Sequence, residues 1–464
     1  QLKRLVGVQA NSAWGHVYAD AVDDSLGRLL FPAAERRVRA AHKAAADDEA
    51  IEVFGKNLEA LLLASPLGPV SVLGIDPGIR TGCKCALVTD TGALAEHRVL
   101  HLVGRREPET GALAAWLRRA KPGAVAVGNG TGGREALAET RRAVQEAGLD
   151  VPVVAVNESG ASIYSASEGA REEMPDVDLT VRSAVHLARR LQDPLAELVK
   201  VPPPSLGVGQ YQHDVDDKKL AQRLDEVVES CVNRVGVDLN TASPALLRHV
   251  AGIGPKLAGK IVEHREAEGP FRRRKDLTAV AGLGKKTFEQ CAGFLRVNGG
   301  EEPLDASAVH PERYRLVQRI AKDHGTDVAT LLAEPRRVDG LRLERYVSED
   351  IGMATLSDIA DELKRPGRDP RTKFEAPRFR DDVNAIEDLR EGMVLEGVVT
   401  NVANFGAFVD LGVHQDGLVH ISELADRFVQ SPHDVVSPGQ GVRVKVLGVD
   451  LHRKRISLSM KQAR

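Results

Sequence analysis

The sequence predicts a multidomain protein that combines an α/β region, an all-α region and an all-β region. At 464 residues the chain has room for about three domains of ordinary size. Apolar strand patterns alternate with helical patterns over residues 70–200, and a helix–turn–helix unit repeats between residues 236 and 300. After residue 392, apolar residues alternate in short runs interrupted by Gly, Asn and Asp, which is typical of a small barrel.

Composition argues against a membrane-spanning segment and a disulfide-stapled fold. Apolar residues make up 42% of the chain, yet no apolar run approaches the roughly 18 residues of a membrane span. The four cysteines lack zinc-site spacing, and Cys83 and Cys85 are expected in the core of one strand. We therefore expect a cytoplasmic protein with no membrane partner. Because the net charge is only −3, nucleic-acid binding would have to come from local basic patches.

Changes in pattern and composition divide the chain into segments. The expected segments are a helical lead-in at 1–69, an α/β domain at 70–200, a linker and helix at 201–235, the repeat at 236–300, a helical domain at 301–363, a basic linker at 364–391 and the barrel at 392–464.

Residues 70–200 follow the order βββαβαβ. The first predicted strand ends at Asp76, and the last ends at Asn157-Glu158. This order is similar to that of RNase H-like sheets, and the Ile75-Asp-Pro-Gly start resembles the resolvase-like branch called YqgF. The resemblance implies that an acid at the end of the first strand binds a catalytic metal ion. Asp76 is therefore the metal candidate, and Asp76 and Glu158 are the catalytic candidates.

The acidic set of this site is incomplete. Two-metal phosphodiester hydrolysis needs about three or four acids around ions roughly 4 Å apart. The fourth strand ends at the neutral Asn129, and the last helix begins with Val181-Arg-Ser-Ala, where the resemblance implies further acids. We therefore expect an inactive scaffold, no enzyme activity and no cofactor. The alternative is a metal-dependent nuclease with Mg²⁺ at Asp76 and Glu158.

The all-α repeat contains two copies of helix, Gly-apolar-Gly turn and helix. Glycine lets each turn bend tightly, and the helix that follows presents free N–H groups to an anion. The repeat resembles the tandem helix-hairpin-helix family, which implies phosphate binding without sequence reading. The predicted binding residues are the turn glycines and their neighbouring lysines: Gly252, Gly254, Lys256, Lys260, Gly282, Gly284, Lys285 and Lys286. A packing spacer that binds nothing is the alternative, although the basic connector at 272–275 favours binding.

The C-terminal barrel carries aromatic and basic residues that could hold a single strand. It resembles the RNA-binding fold named after ribosomal protein S-one, an OB-type barrel that stacks bases on aromatic rings beside a basic groove. We predict a stacking surface of Phe405, Phe408 and His420, with Arg453, Lys454 and Arg455 on the phosphates. A barrel whose aromatic residues are all core is the alternative.

The order of these modules resembles that of the Tex family of bacterial transcription accessory proteins. The connecting motifs agree as well, among them Asn157-Glu-Ser-Gly-Ala-Ser-Ile-Tyr and Gly207-Val-Gly-Gln-Tyr-Gln-His-Asp. The resemblance covers essentially the whole chain, apart from a further N-terminal helical region of Tex-like proteins that this sequence lacks. It implies a factor that binds RNA, and also DNA, and works with RNA polymerase or transcription complexes. A ribosome-associated RNA-binding factor is a further alternative.

Overall fold

The fold is given by a computed structural model, which describes residues 2–5, 12–209, 211–367, 369–371, 374, 383, 385–413 and 415–463. Twelve residues of the predicted basic linker at 364–391 therefore lie outside the described residues, eight of them at 375–382. The predicted fold class is confirmed: an α/β sheet domain, a helical region and a closed barrel follow one another along the chain. None of the described helices is both long and apolar enough to cross a membrane.

A long helix dominates the segment before the sheet. The helices are α1 (Leu2–Leu5), α2 (Gly15–Asp24) and α3 (Phe31–Leu62), and a π-helical turn at Ser25–Leu30 joins the last two. The buried side chains of α3 are confined to its second half, where Ile51, Phe54, Leu58 and Leu62 recur at helical spacing. This half of α3 therefore packs on the rest of the molecule, and the first half is exposed.

The α/β domain has the strand order that the sequence predicts. Its elements are β1 (Val72–Asp76), β2 (Cys83–Val88), β3 (Leu94–Leu100), α4 (Thr110–Ala120), β4 (Ala124–Gly128), α5 (Gly133–Ala147) and β5 (Val153–Val156). The sheet order is β3-β2-β1-β4-β5, in which β1, β4 and β5 are parallel and the first three strands form antiparallel pairs. Both faces are covered, which explains the nearly continuous apolar strands.

Four further helices complete this domain: α6 (Ala161–Ala166), α7 (Glu168–Glu173), α8 (Leu179–Gln192) and α9 (Pro194–Leu198). Helix α8 lies directly on β1 and β2, so close that a Cβ atom at Gly74 would overlap the Ala184 carbonyl oxygen. Glycine in the middle of β1 thus allows the start of α8 to reach the edge of the sheet where Asp76 lies.

The helical region contains the repeat and a second small core. The repeat follows α10 (Asp217–Val235) and comprises β6 (Val237–Asp238), α11 (Pro244–Leu247), α12 (Pro255–Glu268), α13 (Lys285–Cys291) and β7 (Leu295–Arg296). The helices after it are α14 (Tyr314–Asp323), α15 (Val328–Ala333), α16 (Pro335–Val338) and α17 (Met353–Lys364). Strands β6 and β7 pair in parallel and close the repeat at its base.

The barrel has five strands: β8 (Val394–Ala403), β9 (Gly406–Asp410), β10 (Gly417–His420), β11 (Gly441–Asp450) and β12 (Arg455–Ser459). They close in the order β10-β12-β11-β8-β9 around a separate apolar core. Inward and outward side chains alternate along β8, β11 and β12, as expected for a small closed barrel.

The barrel is seated on the sheet domain and on α3. Asn57 Nδ2 donates to Asn401 Oδ1 at 2.7 Å and to the Val402 carbonyl at 3.1 Å. At the rim, Asn404 Nδ2 donates to Glu49 Oε1 at 2.6 Å. The next contact is an ion pair of 3.4 Å between Arg134 of α5 and Asp410. Polar contacts from two separate helices thus fix the orientation of the barrel.

Candidate functional site

Asp76 and Glu158 meet at one edge of the sheet. Because β1, β4 and β5 are parallel, the end of β1 and the residues after β5 reach the same edge. The Glu158 carboxylate covers the turn after β4, where a Cβ atom at Gly130 would overlap Glu158 Oε1. Burial raises the pKa of Asp76 to about 6, and the charge of Glu158 acts in the same direction. The two candidate carboxylates therefore share one half-buried site.

The remaining polar groups of this site are not acids. The Ser183 hydroxyl of α8 donates a hydrogen bond to the Asp76 carboxylate, and Lys84 of β2 lies opposite Asp76 in the antiparallel register. Asn129 Oδ1 accepts a hydrogen bond from the Glu158 backbone N–H at 3.3 Å. A hydroxyl and an amide thus occupy the two places where the resolvase-like resemblance implied further carboxylates.

These residues do not fit a two-metal centre. Within the described ranges, no three or more His, Cys, Asp or Glu side chains are placed to hold a metal ion together. Two carboxylates beside a lysine supply less negative charge than two divalent ions require. Mg²⁺ at Asp76 and Glu158 stays a prediction of the nuclease alternative.

The two hairpin turns share one backbone geometry. Gly252 and Gly282 have φ values of 83° and 95°, in the left-handed region that favours glycine. Gly254 and Gly284 are the N-caps of α12 and α13, with φ, ψ of −85°, 170° and −80°, 169°. The apolar residue between each pair of glycines is buried and anchors its turn. Each turn therefore exposes the first N–H groups of its helix.

The predicted lysines surround both turns. Lys256, Lys260, Lys285 and Lys286 are all exposed. A Cβ atom at Gly282 would lie 3.5 Å from Lys260 Nζ, so a lysine of the first hairpin stands beside the second turn. Conversely, a Cβ atom at Gly252 would lie 3.2 Å from Gln290 Oε1 on α13. The two turns are close neighbours, and their lysines form one basic surface.

The connector between the hairpins contains a structural arginine that sequence reasoning treated as a binding feature. Arg274 is 1% exposed. Its guanidinium donates to five carbonyl oxygens at 2.5–3.0 Å, those of Ala292, Leu304, Asp305, Ser307 and Val309. Its exposed neighbours Arg272 and Arg273 face Glu301, at 3.7 and 2.6 Å. The connector therefore ties the repeat to the following helical region.

Two aromatic rings lie at the surface of the barrel. Phe405 is 49% exposed, and Phe408 is partly buried on the outer face of β9. Their ring centroids are 6.0 Å apart and their planes are nearly perpendicular, at 86°. His420, which is exposed, pairs with Gly406 across β9 and β10, and its Nδ1 lies 2.9 Å from Ser422 Oγ. The alternative that all aromatic residues are core is wrong, because half of the Phe405 surface is free.

The basic residues of the barrel lie at the other end of the same face. Arg453, Lys454 and Arg455 are exposed at the turn between β11 and β12, where Lys454 has a left-handed φ of 49°. Strand β12 runs parallel to β10, so Arg455 lies beside the start of β10 and His420 marks its end. The start and the end of β10 are three residues apart, which corresponds to about 10 Å along the strand. The face is thus long enough for a short single strand.

Sequence reasoning missed Lys84 and the residues that seat the barrel. Lys84 stands between two core cysteines, Cys83 and Cys85, on the opposite face of β2. Its position in an apolar strand could have marked it as a site residue, because lysine is rarely buried unless its charge is paired. No local pattern distinguishes Asn57 or Arg134, whose partners in the barrel lie more than 270 residues away in the chain.

The modules match known families. Four family models match: the Tex protein YqgF-like domain at 70–192, the helix-hairpin-helix motif at 232–296, the HHH domain at 302–371 and the S1 RNA binding domain at 388–461. The transcriptional accessory protein Tex of Neisseria gonorrhoeae is 53% identical over 425 residues, which are 90% of this chain and 55% of that protein. The chain belongs to the Tex family.

Other Tex relatives show similar coverage. Protein tex of Bordetella pertussis is 51% identical over 440 residues, covering 93% of this chain and 55% of that protein. Protein YhgF of Escherichia coli is 51% identical over 422 residues, covering 90% of this chain and 54% of that protein. The chain thus spans a little over half the length of these Tex relatives.

The HHH domain match revises our view of the segment at 301–363, for which the sequence suggested only a helical body. Gly352 precedes α17 with φ, ψ of −80°, 165°, the same conformation as Gly254 and Gly284. Ile351 N donates to the Ser348 carbonyl at 3.2 Å, as Ile253 N does to the Val250 carbonyl at 2.9 Å. This third turn has Asp350 at the place of the first glycine.

Proposed function

We propose that this chain is the part of a transcription accessory factor that binds nucleic acid. In this proposal the barrel holds single-stranded RNA, and the paired hairpins hold the backbone of DNA or structured RNA. RNA polymerase or a transcription complex is the proposed partner, since a relative over half identical is named a transcriptional accessory protein. Such a partner places the protein in the cytoplasm.

The observation that carries this proposal is the half-exposed Phe405 ring, perpendicular to the partly buried Phe408 ring and beside His420. A base that covers the exposed part of the Phe405 ring would remove apolar surface from water, which is favourable. Bases stack on such rings, and each lost base contact costs about 1–3 kcal/mol. The basic turn at Arg453–Arg455 supplies charge for the phosphates about 10 Å along the same face.

The sheet domain acts in this proposal as a scaffold without catalysis. Two carboxylates, a serine and a lysine occupy its candidate site, and Asn129 holds the loop that carries Glu158. Incubation with Mg²⁺ or Mn²⁺ and single-stranded or branched substrates should give no cleavage. Cleavage that disappears in Asp76→Asn would establish the nuclease alternative instead.

The binding proposal is tested with fluorescently labelled single-stranded RNA and the full chain. Phe405→Ala should weaken binding by about 5- to 150-fold, which corresponds to one lost stacking contact. Phe428→Ala is the matched control, because Phe428 is 91% exposed but lies outside the strand face. Equal affinity of the Phe405 variant and the wild type, with the fold intact by circular dichroism, would contradict the proposed surface.

The partner is tested separately by crosslinking in cells. We expect RNA polymerase subunits among the crosslinked proteins after nuclease treatment. Recovery of ribosomal proteins in their place would favour the ribosome-associated alternative and leave the RNA-binding assignment unchanged.

A further inference from the structure

Lys84 is a buried cation opposite Asp76, the carboxylate that lies next to Glu158. It is 9% exposed and lies near the start of β2. The antiparallel register of β1 and β2 places Lys84 directly opposite Asp76. Side chains of directly opposite residues project on the same face of a sheet. Helix α8 covers that face, because Ser183 of α8 reaches Asp76.

The ammonium group of Lys84 is held by the turn that follows β1. Lys84 Nζ donates to the Thr81 hydroxyl, to the Thr81 carbonyl oxygen at 3.3 Å and to the Gly82 carbonyl oxygen at 2.9 Å. An ammonium has three N–H donors, so these neutral oxygens satisfy all of them. Its charge is left to be balanced by the neighbouring carboxylates.

The carboxylates and the ammonium group each need a neighbouring opposite charge. Asp76 and Glu158 repel each other in a half-buried site, and an uncompensated buried ammonium is costly as well. The positive charge of Lys84 stabilises the ionised form of Asp76, and it also acts on Asp178 at the start of α8. A nuclease of this architecture would balance its acids with divalent ions.

We propose that Lys84 takes the place of a metal ion as the permanent countercharge of Asp76 and Glu158. This proposal rests on the scaffold role proposed for the sheet domain. It explains how the acidic site can be stable without a bound metal ion. The chain carries its own cation on β2, and Ser183 replaces a further carboxylate, so a divalent ion finds less negative charge and an ammonium at the same edge.

A double-mutant cycle measures this role through urea denaturation of the full chain. Lys84→Met should lower the urea midpoint of the wild type. In an Asp76→Asn, Glu158→Gln background, the same change should lower the midpoint by less than half as much. An equal lowering in both backgrounds would overturn the proposal, because Lys84 would then contribute only packing and its turn contacts.

Mn²⁺ binding, followed by electron paramagnetic resonance, supplies a second test. The wild type should bind no Mn²⁺ that depends on Asp76, whereas Lys84→Ala combined with Ser183→Asp should bind Mn²⁺ at a site lost on adding Asp76→Asn. Wild-type Mn²⁺ binding that weakens tenfold or more in Asp76→Asn would overturn the proposal, even if the combined variant fails to fold. RNA affinity of Lys84→Met should equal that of the wild type, so failure of the binding proposal would be seen independently.

Discussion

Asn57 Nδ2 in the long lead-in helix and Asn401 Oδ1 in the first strand of the barrel form a hydrogen bond of 2.7 Å. These residues are 344 positions apart in the chain. The same amide nitrogen also reaches the carbonyl oxygens of Val208 and Val402, at 2.9 and 3.1 Å. Asn57 is 2% exposed, so no water competes for these contacts. One side chain thus joins the helix, a connecting loop and the barrel.

Asn57→Ala should loosen the seating of the barrel. The change leaves buried acceptors without a donor, which costs about 1–3 kcal/mol. Hydrogen exchange should accelerate in peptides covering residues 399–404 and 207–209. Asn404→Ala is the matched control, because its contact with Glu49 is exposed and should contribute little. Unchanged exchange in the Asn57 variant would mean that the barrel is held mainly by other contacts.

The four hairpin lysines should control the salt dependence of duplex binding. Replacing Lys256, Lys260, Lys285 and Lys286 by Gln removes up to four phosphate contacts. At about 0.9 per contact, the slope of log K against log salt should become shallower by at most ~3.6. Filter binding over a range of salt concentrations measures this slope.

A control for the lysine variant comes from exposed lysines outside the hairpins. Lys121, Lys218 and Lys322 are exposed on other elements, and changing them to Gln should leave the slope as it is. If the hairpin variant kept both the affinity and the slope of the wild type, the repeat would be a packing spacer.

Arg274 should be important for folding and not for binding. Arg274→Met removes the donors of five carbonyl oxygens and leaves the buried Asp305 without its cation, 3.5 Å away. Breaking such a buried pair costs about 3–5 kcal/mol, which urea denaturation can resolve. Arg273→Met should cost less than about 1 kcal/mol, because its ion pair with Glu301 is exposed. Similar costs for the two variants would contradict this assignment.

His186 should make stability fall in mild acid. Arg190 can only donate to His186 Nε2, at 2.6 Å, so the imidazole is neutral and its Nδ1–H donates to Glu197 at 2.7 Å. Burial lowers the pKa of His186 to about 4, below its usual value of 6.5. Between these values the unfolded chain binds the proton more tightly, so the stability present above pH 6.5 is lost as pH falls towards 4.

Between pH 7 and pH 5, this linkage amounts to up to about 2 kcal/mol. Urea midpoints at the two pH values should therefore differ more for the wild type than for His186→Gln. Glu197, whose pKa lies below its usual range despite burial because Lys200 and His186 are close, acts at still lower pH. An identical pH dependence in both proteins would show that folding does not lower the pKa of His186.

The sequence predicted the elements of this fold better than their contacts. The order of strands and helices in the sheet domain follows from apolar periodicity and turn glycines, which are local signals. Asp76 was found because the resemblance to resolvase-like sheets implies an acid at the end of the first strand, and Glu158 because it follows the last predicted strand. Lys84 was missed because its importance depends on the register with β1, and Arg274 was misread because a basic run gives no sign of burial. The seat of the barrel could not be predicted, since Asn57 and Asn401 carry no pattern that links them.

Helix α3 has the barrel's seat near one end and exposed apolar side chains near the other. From Asn57 to Phe31 the helix extends about 39 Å, at 1.5 Å per residue. A helix of this length behaves as a stiff rod, and its buried part begins only at Ile51. A tilt of the helix by about 10° around Asn57 therefore moves Phe31 by about 7 Å. A force on the exposed half of α3 would therefore reach the barrel and the sheet at the same moment.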